Sequence, residues 1–187
     1  MRIVIAGVVA GLLMFVWSFI SHTVLPLGET GVRMLPAEPA IVGTLKQNVP
    51  ESGLYFYPGL DMAHGDVSPE EQAAWAERYK AGPRGILVYR TDGDEPMGAK
   101  MLLTELASNI LACIVAAWVI ASIGGSFVTR AIAAGMFGVI GWLSIDVSYW
   151  NWYGFPTSYA IAQGIDQFVG WLVSGAAIAL LVKPRLQ

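Results

Sequence analysis

Four apolar runs of about twenty residues each leave this chain few ways to fold. They cover residues Ile3 to Ile20, 101–123, 127–149 and 158–182. Roughly 30 Å of hydrocarbon needs about twenty helical residues, so each run is long enough to cross a bilayer. Inside lipid every backbone N–H and C=O must be satisfied within the chain, which makes each run a helix. The composition agrees: 55% of the 187 residues are hydrophobic and 13% are charged, against about 25% charged in an ordinary soluble domain.

The charges are unevenly placed. Eleven of the fourteen acids lie between Glu29 and Glu95, and the remaining three, Glu105, Asp146 and Asp166, fall inside apolar runs. The fold expected is therefore mainly α: a four-transmembrane-helix bundle with a small α+β extracytoplasmic lobe between helices 1 and 2. The divisions are residues 1–22 for the first helix, 23–99 for the lobe and 100–187 for the other three. Within the lobe, Pro39 to Gln47 reads as a short helix, and Gly53–Tyr57 and Gly85–Arg90 as strands that can pair. Ser68-Pro-Glu-Glu is a helix start, with a capping hydroxyl, proline at the first helical position and acids in the first turn. That helix stops at Gly82-Pro83.

Orientation follows from the short segments. With both termini cytoplasmic, the inner side holds Arg2, Arg130, Lys183 and Arg185 and no acids, as the positive-inside pattern requires. The lobe then lies outside, periplasmic or extracellular, and the host membrane is a bacterial inner membrane. The outer connection between the last two helices is Ile145-Asp-Val-Ser-Tyr-Trp-Asn-Trp-Tyr-Gly-Phe-Pro-Thr-Ser158. Its indoles and phenols suit the headgroup boundary. Trp150 and Trp152 are expected at an interface there, and Thr157-Ser158 as the cap of the last helix.

Polar residues recur at helical spacing within the spans. Glu105, Ser108 and Asn109 share one face of the second, and Gln163, Asp166 and Gln167 one face of the fourth. On the third, Gly135, Gly138, Trp142 and Asp146 align, and His22 closes the first. At about 1.5 Å per residue, Glu105 and Asp146 lie roughly 5–7 Å below the outer ends of their spans and Asp166 about 12 Å. All therefore occupy the outer half, where no Lys or Arg within a span can neutralise them. An ionised group in hydrocarbon costs at least about 2.5 kcal/mol. The acids are therefore either protonated and hydrogen-bonded to Asn109, Gln163 and Gln167 as glue between helices, or reach an outer aqueous pocket, or meet a ligand or cation. Glu105, Asn109, Asp146, Gln163, Asp166 and His22 form the candidate ligand-binding set.

Gly7 and Gly11 make a GxxxG, a face on which another helix packs closely. One histidine with carboxylates does not define a metal site, and haem or copper through His22, Met62 and His64 finds no stronger support; no cofactor or metal is predicted. The chain has no nucleotide-binding loop, GxSxG, HExxH or CxxC, so no catalytic residue is assigned. The mild net charge of −3 gives no basic patch for nucleic acid. The lone Cys113 offers no disulfide.

Phe15-Val-Trp-Ser-Phe-Ile-Ser-His-Thr-Val-Leu-Pro26, Pro50-Glu-Ser-Gly-Leu-Tyr-Phe-Tyr-Pro58 and Tyr149-Trp-Asn-Trp-Tyr-Gly-Phe155, in this span order, resemble a group of small uncharacterised bacterial inner-membrane proteins with four spans and an extracytoplasmic insert. That resemblance implies the topology and no activity. The function expected first is a non-enzymatic integral membrane protein, an accessory or assembly subunit with protein partners in the bilayer. The alternative is a ligand-, lipid- or ion-binding protein using the outer polar pocket. A weaker one is a lipid-headgroup enzyme with Asp146 or Asp166 as acid/base and His22 as helper.

Overall fold

The computed structural model describes residues 1–61 and 65–183. Met62, His64 and Arg185 lie outside the described residues. Four helices are long and apolar enough to cross a membrane: Arg2–Val24, Ala99–Ile120, Phe127–Tyr153 and Thr157–Leu181. The protein is a mainly helical membrane protein with one small two-stranded sheet. Its backbone divides into two compact units, Met1–Val32 with Pro96–Gln187, and Arg33–Glu95.

In the helical unit, α1 (Arg2–Phe19) passes without a break into a π turn, Ile20–Val24. Its wider hydrogen bond runs from Leu25 N to Ile20 O at 2.8 Å. Leu25 is extended, as the residue before a proline tends to be, and the helix stops there. The next spans are α4 (Ala99–Ile120) and α5 (Phe127–Gly141). A second π turn, Trp142–Asp146, continues α5 into α6 (Val147–Tyr153). The last span is α7 (Thr157–Leu181). Helices α1 and α7 form the central pair, with α4 packed on α1 and α5 on α7.

The tight packing of these pairs follows from small residues. A Cβ added to Gly7 would lie 2.5 Å from Cα of Ile114, and one added to Gly11 2.5 Å from Cα of Ile110. The partner that approaches the GxxxG is thus α4 of the same chain, running antiparallel. Ala6, Ala10, Cys113, Ala116, Ala117, Ala134 and Ile178 make the buried core between the helices. Large apolar residues face outward instead: Leu111, Val115, Trp118, Ile140 and Leu180 are all more than half exposed. This is the reverse of a water-soluble bundle and matches a hydrocarbon solvent.

The connection between the last two spans is shorter than the sequence suggests. Trp150 and Trp152 belong to α6, and only Gly154–Pro156 is non-helical. Gly154 adopts φ 75°, a left-handed conformation that glycine accepts without a Cβ clash. Pro156, not Thr157 or Ser158, occupies the capping position of α7, and no side chain caps it. The Thr157 hydroxyl instead accepts the Trp150 indole N–H at 3.1 Å.

The unit Arg33–Glu95 holds α2 (Glu38–Asn48), β1 (Gly53–Tyr57), α3 (Pro69–Ala81) and β2 (Gly85–Tyr89). The strands pair antiparallel, with Gly53 opposite Tyr89 and Tyr57 opposite Gly85. Ser68 and Glu71 form a reciprocal capping box at the start of α3. The Ser68 N–H and hydroxyl hold the Glu71 carboxyl below its ordinary range. Helix α3 lies on the sheet through a Phe56–Tyr79 stack and a Trp75 Nε1 bond to Pro58 O at 2.9 Å. β1 stays exposed along its whole length.

Candidate functional site

Trp17 fixes the geometry of the polar region. A Cβ on Gly170 would lie 2.9 Å from both Met14 Sδ and Trp17 Cδ1. The bare backbone there lets the indole lie across α7, and its Nε1 donates to Asp166 Oδ1 at 2.8 Å and to Asp166 O at 3.2 Å. This bond ties α1 to α7 and orients the carboxylate. One turn higher on α1, the π turn brings His22 Nδ1 to 3.0 Å from Ser18 O and 2.9 Å from Ser21 Oγ. A backbone carbonyl can only accept, so His22 Nδ1 donates to Ser18 O.

Between α1, α4 and α7 lies a recess of about 560 Å³, well within the range of small-ligand sites. His22, Glu105, Asn109, Gln163, Asp166 and Gln167 all line it, with Trp17, Ser18 and Thr23. Met14, Phe15, Phe19, Leu102 and Trp171 supply its apolar wall. Five of the six residues expected to bind a ligand therefore come together, drawn from three separate helices.

Asp146 does not join them. It ends the π turn that follows α5, and α5 packs on α7 without contributing any lining residue to the recess. Asp146 instead lies near Tyr159, whose ring packs on Phe155, Phe155 on Tyr149 and Tyr149 on Tyr153, at centroid distances of 5.3–5.8 Å. Trp150 and Trp152, placed at an interface by sequence, are 43% and 68% exposed on the same helix end.

The recess is poorly compensated. Among the described residues the Glu105 carboxylate has no hydrogen-bond or ionic partner, and Asp166 has only Trp17. Among the described residues no lysine or arginine lines the cavity; Lys100 borders a different, shallow recess with Leu103, Thr104, Ala107, Ser108 and Leu111. Nδ2 of Asn109 is buried without any hydrogen-bond partner, which costs about 1–3 kcal/mol while it stays unpaired. Among the described residues no group of three histidine, cysteine, aspartate or glutamate side chains is close enough to hold a metal ion.

One residue of consequence escaped the sequence reading. Arg130, expected only as one of the cytoplasmic-side charges that set the orientation, is 3% exposed. Its guanidinium donates to Ile120 O through Nε and Nη2 at 3.4 Å each, and to Ala179 O through Nη1 at 3.1 Å. Both carbonyls belong to the last turn of a helix, where the backbone dipole is negative and acceptors lack intrahelical donors. The signal was present in Arg130 being the fourth residue of its helix, one turn inside the span rather than in the loop.

No family model, no curated protein and no solved structure matches this chain.

Proposed function

We propose that this is a non-enzymatic membrane protein that binds a small amphipathic molecule in the recess between α1, α4 and α7. The observation that carries this reading is the convergence of His22, Glu105, Asn109, Gln163, Asp166 and Gln167 on one cavity. Polar groups that only glue helices together satisfy one another. Here the buried Nδ2 of Asn109 is left without a partner, and Glu105, exposed where it lines the recess, has none among the described residues. In this account the membrane is a bacterial inner membrane and both termini are cytoplasmic. The recess and the insert then belong to the outer side.

A second reading, an accessory or assembly subunit, rests on the insert. Leu54 and Val88 sit opposite each other on its sheet and are 70% and 73% exposed, an apolar pair suited to another protein. The small-residue faces favour it less, because Gly7 and Gly11 are taken up by α4.

Native mass spectrometry after gentle extraction separates the two. The first reading expects a chain that carries a lipid or small molecule, lost in Asp166→Asn while the fold persists. Asparagine keeps an oxygen for the Trp17 N–H, so the α1–α7 bond survives the change. A chain that emerges empty contradicts it, and stoichiometric membrane-protein partners on an empty chain would favour the second.

A further inference from the structure

The recess holds two carboxylates with no lysine or arginine beside them among the described residues, while its amide and hydroxyl groups, Asn109 included, can donate as well as accept. Among the described residues Glu105 is unpaired and Asp166 has one oxygen without a protein partner, and the imidazole of His22 lines the same space. Gln163 and Gln167 add amide oxygens. Trp17 and Trp171 also border the space. Beside this polar end run Phe15, Phe19 and Leu102, a wall for a hydrocarbon chain.

From this we infer that the recess selects an amphiphile with a positively charged amine, its ammonium taken by Glu105 and Asp166 and its tail lying along α1 and α4. The inference rests on the recess being a binding site, and it names the headgroup chemistry. An ammonium supplies three N–H donors, enough for Glu105, Asp166 and one neighbouring acceptor, and the positive charge that the two carboxylates lack among the lining residues. A carboxylate, sulfate or phosphate monoester at the same place meets two like charges and no cation. The amine has two possible sources: the headgroup of an aminolipid or a free alkylamine.

The test uses the full chain in nanodiscs of phosphatidylcholine, read by its tryptophan fluorescence, since Trp17 and Trp171 border the site. Dodecylamine, dodecanol and dodecanoate are titrated separately, and a second set of discs contains phosphatidylethanolamine. Expected is saturable binding of dodecylamine at least about tenfold tighter than of the alcohol or the acid. Glu105→Gln and Asp166→Asn each weaken it by about tenfold, the worth of one charge-assisted hydrogen bond. If phosphatidylethanolamine discs abolish the dodecylamine signal, the aminolipid is the source; if they leave it intact, the free amine is. Equal binding of all three probes overturns the amine inference and leaves the binding-site reading standing. Saturable binding of none overturns both. Amine binding that survives the double variant Glu105→Gln/Asp166→Asn also overturns the inference.

Discussion

Replacing Gly7 and Gly11 together by leucine is expected to force α1 off α4 and to abolish recovery of monodisperse protein. The atoms in the way are backbone: Cα of Ile114 and Cα of Ile110, each 2.5 Å from the position a Cβ would take. A flexible side chain could swing aside, but a helix axis must translate. Overpacking of this kind costs about 1–3 kcal/mol per site, and the two sites share one interface, so their effects are coupled. Helix association in lipid draws on packing and gains little from the hydrophobic effect, which leaves few other contacts to compensate. The control is Gly141→Ala, where a Cβ meets nothing within 4 Å; it is expected to behave as the wild type or slightly better. Size-exclusion chromatography and thermal aggregation in one detergent measure both. Gly7→Leu/Gly11→Leu with wild-type thermal stability would remove the α1–α4 interface from this account.

Arg130→Met is expected to produce the largest loss from a single substitution. The guanidinium joins the carbonyl ends of α4 and α7 to α5, while Ile120 O receives one other donor, the N–H of Ile123 at 3.2 Å. Methionine fills much of the volume and removes every donor. Hydrogen bonds to a charged group contribute about 1.5–3 kcal/mol each, and the partners left behind in an apolar site add a penalty. A net loss of about 2–4 kcal/mol follows. Arg130→Lys should fall between, because a single ammonium lacks the planar fork that reaches two carbonyls on different helices. Denaturation by sodium dodecyl sulfate from a mild detergent gives the order wild type, lysine, methionine. A methionine variant as stable as the wild type would mean that the three bonds contribute nothing net.

These residues also show what could be read in the sequence. Periodicity within one segment was enough to find each span, each strand and the Ser68 cap, because those depend on local hydrogen bonding and on which face is apolar. The face of α7 carrying Gln163, Asp166 and Gln167 and the α4 face of Glu105 and Asn109 were legible in the same way. Which faces meet was not. Asp146 satisfies the same spacing rule as Asp166, yet α5 packs on α7 without lining the recess, and no spacing within α5 encodes that choice. The Trp17–Asp166 bond joins residues 149 apart and depends on Gly170 leaving room for a ring. Arg130 was counted only as a cytoplasmic-side charge, because positive residues cluster at cytoplasmic ends for topological reasons. Its burial follows from the two helix ends that converge on it.

The outer connection shows a second kind of shortfall. Aromatic residues, a proline and two hydroxyls suggested a turn across Ile145–Ser158, but the backbone stays helical to Tyr153. Rings at the boundary do not break a helix; Gly154 and Pro156 do. The Thr157 hydroxyl was free to cap α7 until the neighbouring indole of Trp150 claimed it.

The central claim is an outer-half recess that a ligand can enter from the outer face, and cysteine accessibility tests it most directly. The native Cys113 is fully buried and is first replaced by alanine. Single cysteines are then introduced at Gln163, which lines the recess, at Leu180, 73% exposed near the opposite end of α7, and at Gly43 in the insert. Intact bacterial cells are treated with a membrane-impermeant maleimide. The account predicts labelling of Gln163→Cys and Gly43→Cys and none of Leu180→Cys. Gln163→Cys left unlabelled while Gly43→Cys reacts, or labelled only after the membrane is permeabilised, would contradict it.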